Sequence, residues 1–190
     1  MRGLVLLVVM FFSINGWAAN KVFLLQPMSR MPIDTYQVAA KNLSALSPLK
    51  EKNIHIVLRN KVDENTSSSS LLCRGWFPIV TPQSETFESV IQNAFTQELA
   101  QGGVLSDKEG ITISIDSIKI NFNTFGTATW EYEMTLSNTI KSETFSYKHE
   151  YGTYFVAANV CNATGQNFTR GIEAFLKSIY SDPRFSALLQ

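Results

Sequence analysis

The clearest pattern in the chain is an alternation of apolar and polar residues between positions 111 and 151. Apolar or aromatic side chains, with one histidine, recur at every second position within each of several segments. They are Ile111, Ile113, Ile115, Ile118, Ile120, Phe122, Ala128, Trp130, Tyr132, Met134, Leu136, Phe145, Tyr147, His149 and Tyr151. Because successive residues of a strand face opposite sides of a sheet, this alternation predicts three consecutive strands that share one buried face.

Two features of this region indicate how the three strands connect. The alternation changes phase at residues 116–117, where a β-bulge would keep the isoleucines on one face. Residues 137–139 predict a hairpin turn before the last strand. A two-residue turn at 138–139 would pair Trp130 with Tyr147, whereas a longer loop would shift each partner by two residues.

A first amphipathic helix precedes the three strands. Its apolar residues fall at helical spacing, at Phe87, Val90, Ile91, Ala94, Phe95 and Leu99. Ser84 or Thr86 can cap its amino end, and the glycines at 102–103 end it. These glycines follow the helix and lack a neighbouring lysine, so they do not form a phosphate-binding loop.

A second amphipathic helix follows the strands, over residues 158–180. Its apolar stripe consists of Val160, Cys161, Thr164, Phe168, Ile172, Phe175, Leu176 and Ile179. Gly165 and Gly171 weaken the helix and predict a bend or a late start. Residues 182–183 then end it and begin a final turn in which Phe185, Leu188 and Leu189 pack back.

The part before the first helix is less regular. Residues 19–52 are interrupted by prolines, and we interpret them as an N-terminal arm with one short helix within 33–46. Residues 53–59 alternate as a strand, and residues 60–70 form a polar loop that we expect to be mobile. The whole predicts a single α+β domain over 53–190, a four-stranded, mostly antiparallel sheet with two helices on one face, in the order strand-helix-strand-strand-strand-helix.

The first 18 residues have the features of a secretory signal peptide. Arg2 precedes an unbroken apolar run over residues 4–12, and small residues stand at positions 16 and 18, before the expected cleavage site. The apolar run is too short for a membrane span. We therefore expect export, cleavage after Ala18 and no transmembrane segment in the processed chain. No cysteine stands at the cleavage point to carry a lipid anchor.

The charge composition of the chain argues against two classes of binding partner. Lys and Arg together number 16, as do Asp and Glu, and charged residues make up 17% of the chain. A chain with near-zero net charge and no basic cluster lacks the electrostatic attraction typical of proteins that bind nucleic acid or anionic lipid, so neither is expected as the main partner.

The chain contains two cysteines, Cys73 and Cys161. An even number of cysteines in an exported chain favours a disulfide, which here would close a loop of roughly 90 residues and stabilise the fold by about 4–5 kcal/mol in the chain-entropy model. The alternatives are a catalytic thiol, or a metal site that also uses His55 and His149. Metal sites usually draw on closely spaced ligand pairs, and these four residues are scattered singly.

Catalytic candidates do not form a recognisable motif. The serines at 67–70, His55, His149, Glu131 and Glu133 belong to separate predicted elements. We therefore predict no catalytic, metal or cofactor site and no enzymatic activity. The polar face of the sheet, with Thr129, Glu131, Glu133, Ser146, Lys148 and Glu150, is either an ordinary solvated face or a binding surface.

Several short stretches resemble small envelope proteins of Gram-negative bacteria, namely the YajG-like lipoproteins and the lipoprotein subunit of the lipopolysaccharide-assembly machine. The resemblance covers roughly residues 53–189 and rests on 73–74, 86–88, Trp130, 137–138, Cys161, Pro183, Phe185 and 188–189. It implies two helices covering one face of a four-stranded sheet, and an envelope location. This chain departs from the pattern because it lacks the lipid-bearing cysteine.

Export and the lack of a catalytic motif lead to one principal functional expectation. We expect a non-enzymatic periplasmic accessory or binding protein that contacts another envelope protein, with an exposed edge strand able to accept that partner. The second hypothesis is a secreted interaction factor that acts outside the cell. The third is a hydrolase.

Overall fold

The computed structural model describes residues 29–60, 68–152 and 155–190. The predicted signal peptide at 1–18 and most of the predicted mobile loop at 60–70 lie outside these residues. The elements, in chain order, are β1 (Met31–Pro32), α1 (Ala40–Glu51), β2 (Ile56–Asn60), β3 (Ser70–Cys73), β4 (Phe77–Val80), α2 (Phe87–Gln101), β5 (Ile111–Asn123), β6 (Ala128–Ser137), β7 (Ser142–Tyr151), α3 (Ala157–Ser181) and α4 (Pro183–Leu188).

The main sheet has four strands in the order β2-β5-β6-β7. β5, β6 and β7 form the predicted antiparallel meander, and β2 pairs with β5 in parallel. The predicted bulge is confirmed, since the β5–β6 register shifts between Ile115 and Ser117. In the last hairpin Trp130 pairs with His149, which is the register of the longer loop.

The predicted single sheet is incomplete, because a second sheet of three strands has the order β1-β4-β3. Its strands have only two or four residues, and Pro78 lies within one of them, so they carry no readable alternation. Ser68 and Ser69, expected in the mobile loop, are hydrogen-bonded: their carbonyls accept from the backbone N–H groups of Phe87 and Thr81.

The described residues form four α-helices, and two helices were predicted to cover the sheet. α2 and α3 lie on one face of the main sheet and enclose an aromatic core. There the Trp130 ring lies 4.9 Å from Phe168 and 6.2 Å from Phe87, measured between ring centroids. The Trp130 indole N–H also donates to the Thr164 carbonyl at 2.8 Å. α4 is the predicted final turn, capped by the Asp182 side chain, which accepts from Arg184 N.

α3 is continuous through the two glycines that predicted a bend. Both glycines allow close packing: a Cβ at Gly165 would lie 2.9 Å from the Pro32 carbonyl oxygen, and one at Gly171 would overlap the Tyr132 hydroxyl. The glycines therefore set the contacts of α3 with β1 and β6 without ending the helix.

The remaining helix, α1, begins later and extends further than the helix expected within 33–46. It continues through Pro48, which cannot donate a backbone hydrogen bond to the Ser44 carbonyl. The Ser47 hydroxyl donates to that carbonyl at 2.8 Å in its place. The hydrophobic core contains Leu46 of α1, and also Met31 and Ile33, which precede this helix. They belong to one cluster with buried residues of the other helices and of both sheets. The predicted domain boundary after residue 52 stays a prediction.

Candidate functional site: the outer edge of β7

β7 is the last strand of the main sheet, and among the described residues no strand pairs with its outer side. In an antiparallel ladder, every second residue directs its N–H and C=O away from its partner strand. The backbone N–H of Asn138 donates to the Lys141 carbonyl at 2.9 Å, and this pair continues the β6–β7 register. Residues of β7 at steps of two from Lys141 therefore face β6, and the intervening residues face outward: Ser142, Thr144, Ser146, Lys148 and Glu150.

A contact at one end of the strand supports this assignment independently. The Thr144 carbonyl accepts a hydrogen bond of 3.1 Å from Arg184 Nη1, so it faces outward, toward α4. This arginine occupies the start of the edge. The outward N–H and C=O groups of Ser146, Lys148 and Glu150 form the remaining stretch, which we call the β7 edge.

The side chains along the β7 edge differ between the two faces of the sheet. Ser146, Lys148 and Glu150 are exposed on the solvent face, whereas Tyr147 and His149 are half-buried on the helix face. A strand added beside β7 would therefore meet polar groups on one face and aromatic groups on the other.

Cross-strand pairs cover the polar face next to this edge. Lys119 Nζ lies 2.8 Å from Glu133 Oε1, and Asn121 Nδ2 lies 3.2 Å from Glu131 Oε2. With Lys148 they line an open depression that crosses the three antiparallel strands. Exposed pairs of this kind contribute little to stability, about 0–1 kcal/mol, so they are easily rearranged by a bound partner.

The two cysteines lie together although they are far apart in sequence. The sulfur atoms of Cys73 and Cys161 are 2.01 Å apart, and both residues are buried. This disulfide joins the end of β3 to the second turn of α3.

Ser67 lies outside the described residues, and the structure does not bring the described catalytic candidates together. His55 is exposed at the start of β2, while His149 lies on the helix face of β7, with its Nε2 3.4 Å from Asn167 Oδ1 and its ring stacked on Tyr151. Glu131 and Glu133 lie on the opposite face of the sheet. Ser68 donates its hydroxyl hydrogen bond to the Ser70 carbonyl.

Sequence reasoning missed one buried ionisable group, Glu98 of α2. Its carboxylate, which is fully buried, accepts hydrogen bonds from the Tyr36 hydroxyl and, at 2.8 Å, from Asn42 Nδ2. Glu98 Oε2, Asn42 Oδ1 and the Tyr180 hydroxyl make no hydrogen bond of ordinary geometry with the described residues. The missed signal was its spacing, because position 98 lies four residues after Ala94, on the apolar stripe of the helix.

Burial dominates the protonation of this cluster. It raises the pKa of Glu98 above its ordinary value, although hydrogen bonds from Tyr36 and Asn42 act in the opposite direction. Burial also raises the pKa of Tyr36, and the hydrogen bond to Glu98 adds to that effect. Asn42 Nδ2 also donates to the Glu173 carbonyl of α3 at 2.9 Å, so the cluster links α1, α2 and α3, and its burial favours the neutral form of Glu98.

Comparison with known proteins finds similar solved structures, two of which are described below. No protein-family model matches the chain, and no curated protein matches it in sequence. An uncharacterized protein of known crystal structure has 8% identity and a TM-score of 0.41, over 80% of this chain and 99% of its own. A minor lipoprotein from Acinetobacter baumannii has 11% identity and a TM-score of 0.43, over 70% of this chain and 90% of its own.

Proposed function

We propose that this protein is an exported, non-enzymatic accessory protein of the bacterial envelope, which binds an extended segment of another protein along the β7 edge. The observation that carries the proposal is the β6–β7 register. It directs the backbone N–H and C=O groups of Ser146, Lys148 and Glu150 away from β6. An edge with outward N–H and C=O groups can accept an additional strand.

The side chains beside the β7 edge indicate which segment would fit. An added strand also alternates between the two faces of the sheet, so every second residue would lie beside Tyr147 and His149. The intervening residues would lie beside Lys148 and Glu150, which carry opposite charges. The fitting partner is an extended segment that alternates apolar with polar or charged residues.

Export is supported by the signal-like pattern of residues 1–18 and by the disulfide, since disulfides persist in oxidising compartments. No helix in the described part of the chain is long and apolar enough to cross a membrane. We place the processed protein in the periplasm. Recovery in a periplasmic extract is the expected result, and recovery only in the culture medium would favour the secreted alternative.

The binding proposal is tested by photo-cross-linking in intact cells, with the reactive side chain at position 146. The change to examine is Lys148→Pro, which removes one outward N–H and is tolerated sterically because proline occurs on edge strands. The cross-linked product should fall by about tenfold or more, since the added strand loses a hydrogen bond and meets the proline ring.

Lys148→Ala is the matched control, because it removes the same side chain and keeps the backbone donor. It should retain the cross-linked product of the unaltered protein, and both variants should keep the thermal unfolding midpoint within the range of other surface changes. Equal capture by the two variants, or no product from position 146, would contradict binding along the β7 edge.

A further inference from the structure

A set of exposed apolar side chains is concentrated at one end of the molecule, away from the middle of the β7 edge. Among the described residues six large apolar side chains are exposed, and five of them belong to this set, which we call the apolar end: Leu72, Trp76, Phe125, Phe155 and Val156. The sixth, Ile140, lies in the β6–β7 turn. Phe155 is fully exposed, and Trp76 and Phe125 are each about two-thirds exposed.

The topology explains why these residues share an end. Ala128 at the start of β6 pairs with Tyr151 at the end of β7, so the β5–β6 turn and the start of α3 are neighbours. The disulfide joins the β3–β4 turn to α3 at the same end. Ile140 is at the far end, because β6 runs from Ala128 toward it.

Specific contacts hold two of the three loops. Arg74 Nη2 donates to the Thr124 carbonyl at 2.7 Å, and its guanidinium lies 5.1 Å from the centroid of the Phe125 ring. The Asn123 side chain both accepts from and donates to the backbone of Phe125, each at 2.9 Å. Phe125 is therefore exposed in a fixed position, and its exposure does not come from a loosely held loop.

The three loop tips are nearly free of charge. Residues 73–76, 124–127 and 155–158 contain one charged side chain, Arg74, and no carboxylate. Isolated exposed apolar residues are ordinary. A group of them on neighbouring loop tips indicates a surface that becomes buried against a partner or a membrane.

The chain enters the described fold at the same end. β1 runs parallel to β4, with Met31 opposite Ile79, and β4 leads away from the turn that contains Trp76. The preceding 28 residues, with the apolar run at 4–12, therefore join the fold beside the apolar end.

We propose that the apolar end inserts shallowly into the interfacial region of a phospholipid bilayer. Tryptophan and phenylalanine at loop tips suit this region, where an aromatic ring reaches the acyl boundary while polar backbone stays hydrated. The insertion is driven by apolar burial. It therefore does not need the basic cluster that the chain lacks, and it leaves the β7 edge available for a protein.

The test is binding of the protein, purified in its natural processed form, to vesicles of phosphatidylethanolamine and phosphatidylglycerol. The unaltered protein should co-sediment with the vesicles. Combined Trp76→Ser, Phe125→Ser and Phe155→Ser substitutions should weaken binding by about tenfold or more, because three apolar side chains no longer leave water. Vesicles of phosphatidylcholine should bind the unaltered protein within about threefold of the anionic ones, since one cation contributes little.

Ile140→Ser is the matched control, since it removes an exposed apolar side chain from the opposite end, and it should bind as the unaltered protein does. The fluorescence of Trp76 provides a second readout, obtained as the difference between the spectra of the unaltered protein and Trp76→Phe. This emission should shift to shorter wavelength on vesicle binding and be quenched by brominated acyl chains. Absence of vesicle binding, or equal binding by the triple variant, would overturn the proposal. Loss of a protein cross-link in the triple variant without vesicle binding by the unaltered protein would instead assign the apolar end to a protein partner.

Discussion

Gly171 shows how a single residue determines the packing of the longest helix. It faces Tyr132, whose buried hydroxyl donates to the Phe168 carbonyl at 2.7 Å. Any side chain at position 171 would overlap that hydroxyl. The helix accepts a residue of poor helical propensity there because the phenol needs the space.

Gly171→Ala should therefore destabilise the protein, although alanine is the better helix former by about 1 kcal/mol. Displacing the Tyr132 hydroxyl is an overpacking change that typically costs about 1–3 kcal/mol. Denaturant unfolding of this variant should give a lower unfolding free energy than that of the unaltered protein. Gly152→Ala, where a Cβ meets no described atom within 4 Å, is the control and should be near neutral. A stabilised Gly171→Ala variant would show that α3 and β6 are further apart.

Glu98 is the second residue whose environment has a measurable consequence. A carboxyl group with a raised pKa in the folded state binds its proton more tightly there than in the unfolded state. Its contribution is therefore fully favourable below the ordinary value of 4.5, and it is lost as the pH rises through the raised folded pKa.

Glu98→Gln should remove this pH dependence, because the amide keeps a polar group of similar shape and does not ionise. We expect the unfolding free energy of the variant to decline less than that of the unaltered protein between pH 4.5 and neutrality. Urea unfolding at several pH values measures both slopes. Glu131→Gln, an exposed change on the sheet, should leave the slope unaltered. Parallel slopes for Glu98→Gln and the unaltered protein would contradict a raised pKa.

At the scale of elements, the disulfide attaches the small three-stranded sheet to α3. Cys73→Ala and Cys161→Ala should each lower the unfolding free energy by about 2–5 kcal/mol, and by the same amount within error, because either one opens the same loop. Denaturant unfolding checks the match. A thiol assay on the denatured, unreduced protein should find no reactive thiol. Two reactive thiols, or full stability in both variants, would contradict the bridge.

The long elements were predictable from sequence because each repeats one periodicity over ten residues or more. Alternation identified β5, β6 and β7 and located the bulge before Ser117. Helical spacing identified α2 and α3, with Thr86 as the cap of α2, where its side chain accepts from Ser89 N. The hairpin register stayed open, since it depends on the loop length between Ser137 and Ser142.

Other features depended on contacts between distant residues. β1 has two residues and exists because it pairs with β4, so no local pattern marks it. The burial of Glu98 depends on Tyr36, which is 62 positions away. An exposed edge strand was predicted, but its identity as β7 and its outward residues follow only from the observed strand order and register.

At the scale of the molecule, the two proposed surfaces lie on different parts of the fold. The β7 edge runs beside Ser146, Lys148 and Glu150, whereas the apolar end consists of loop tips around Trp76 and Phe125. A protein anchored shallowly at one end can still offer its edge strand to a partner. Together the two proposals describe an adaptor at a membrane surface, and each proposal is tested by its own variants.

β7 carries outward-facing backbone groups that no other described strand pairs with, and amide hydrogen exchange of the isolated protein tests this most directly. The amides of Tyr147 and His149, which point toward β6, should be strongly protected. Those of Ser146, Lys148 and Glu150 should exchange quickly, giving an alternation along the strand. Uniform protection along β7, or the opposite alternation, would contradict the account.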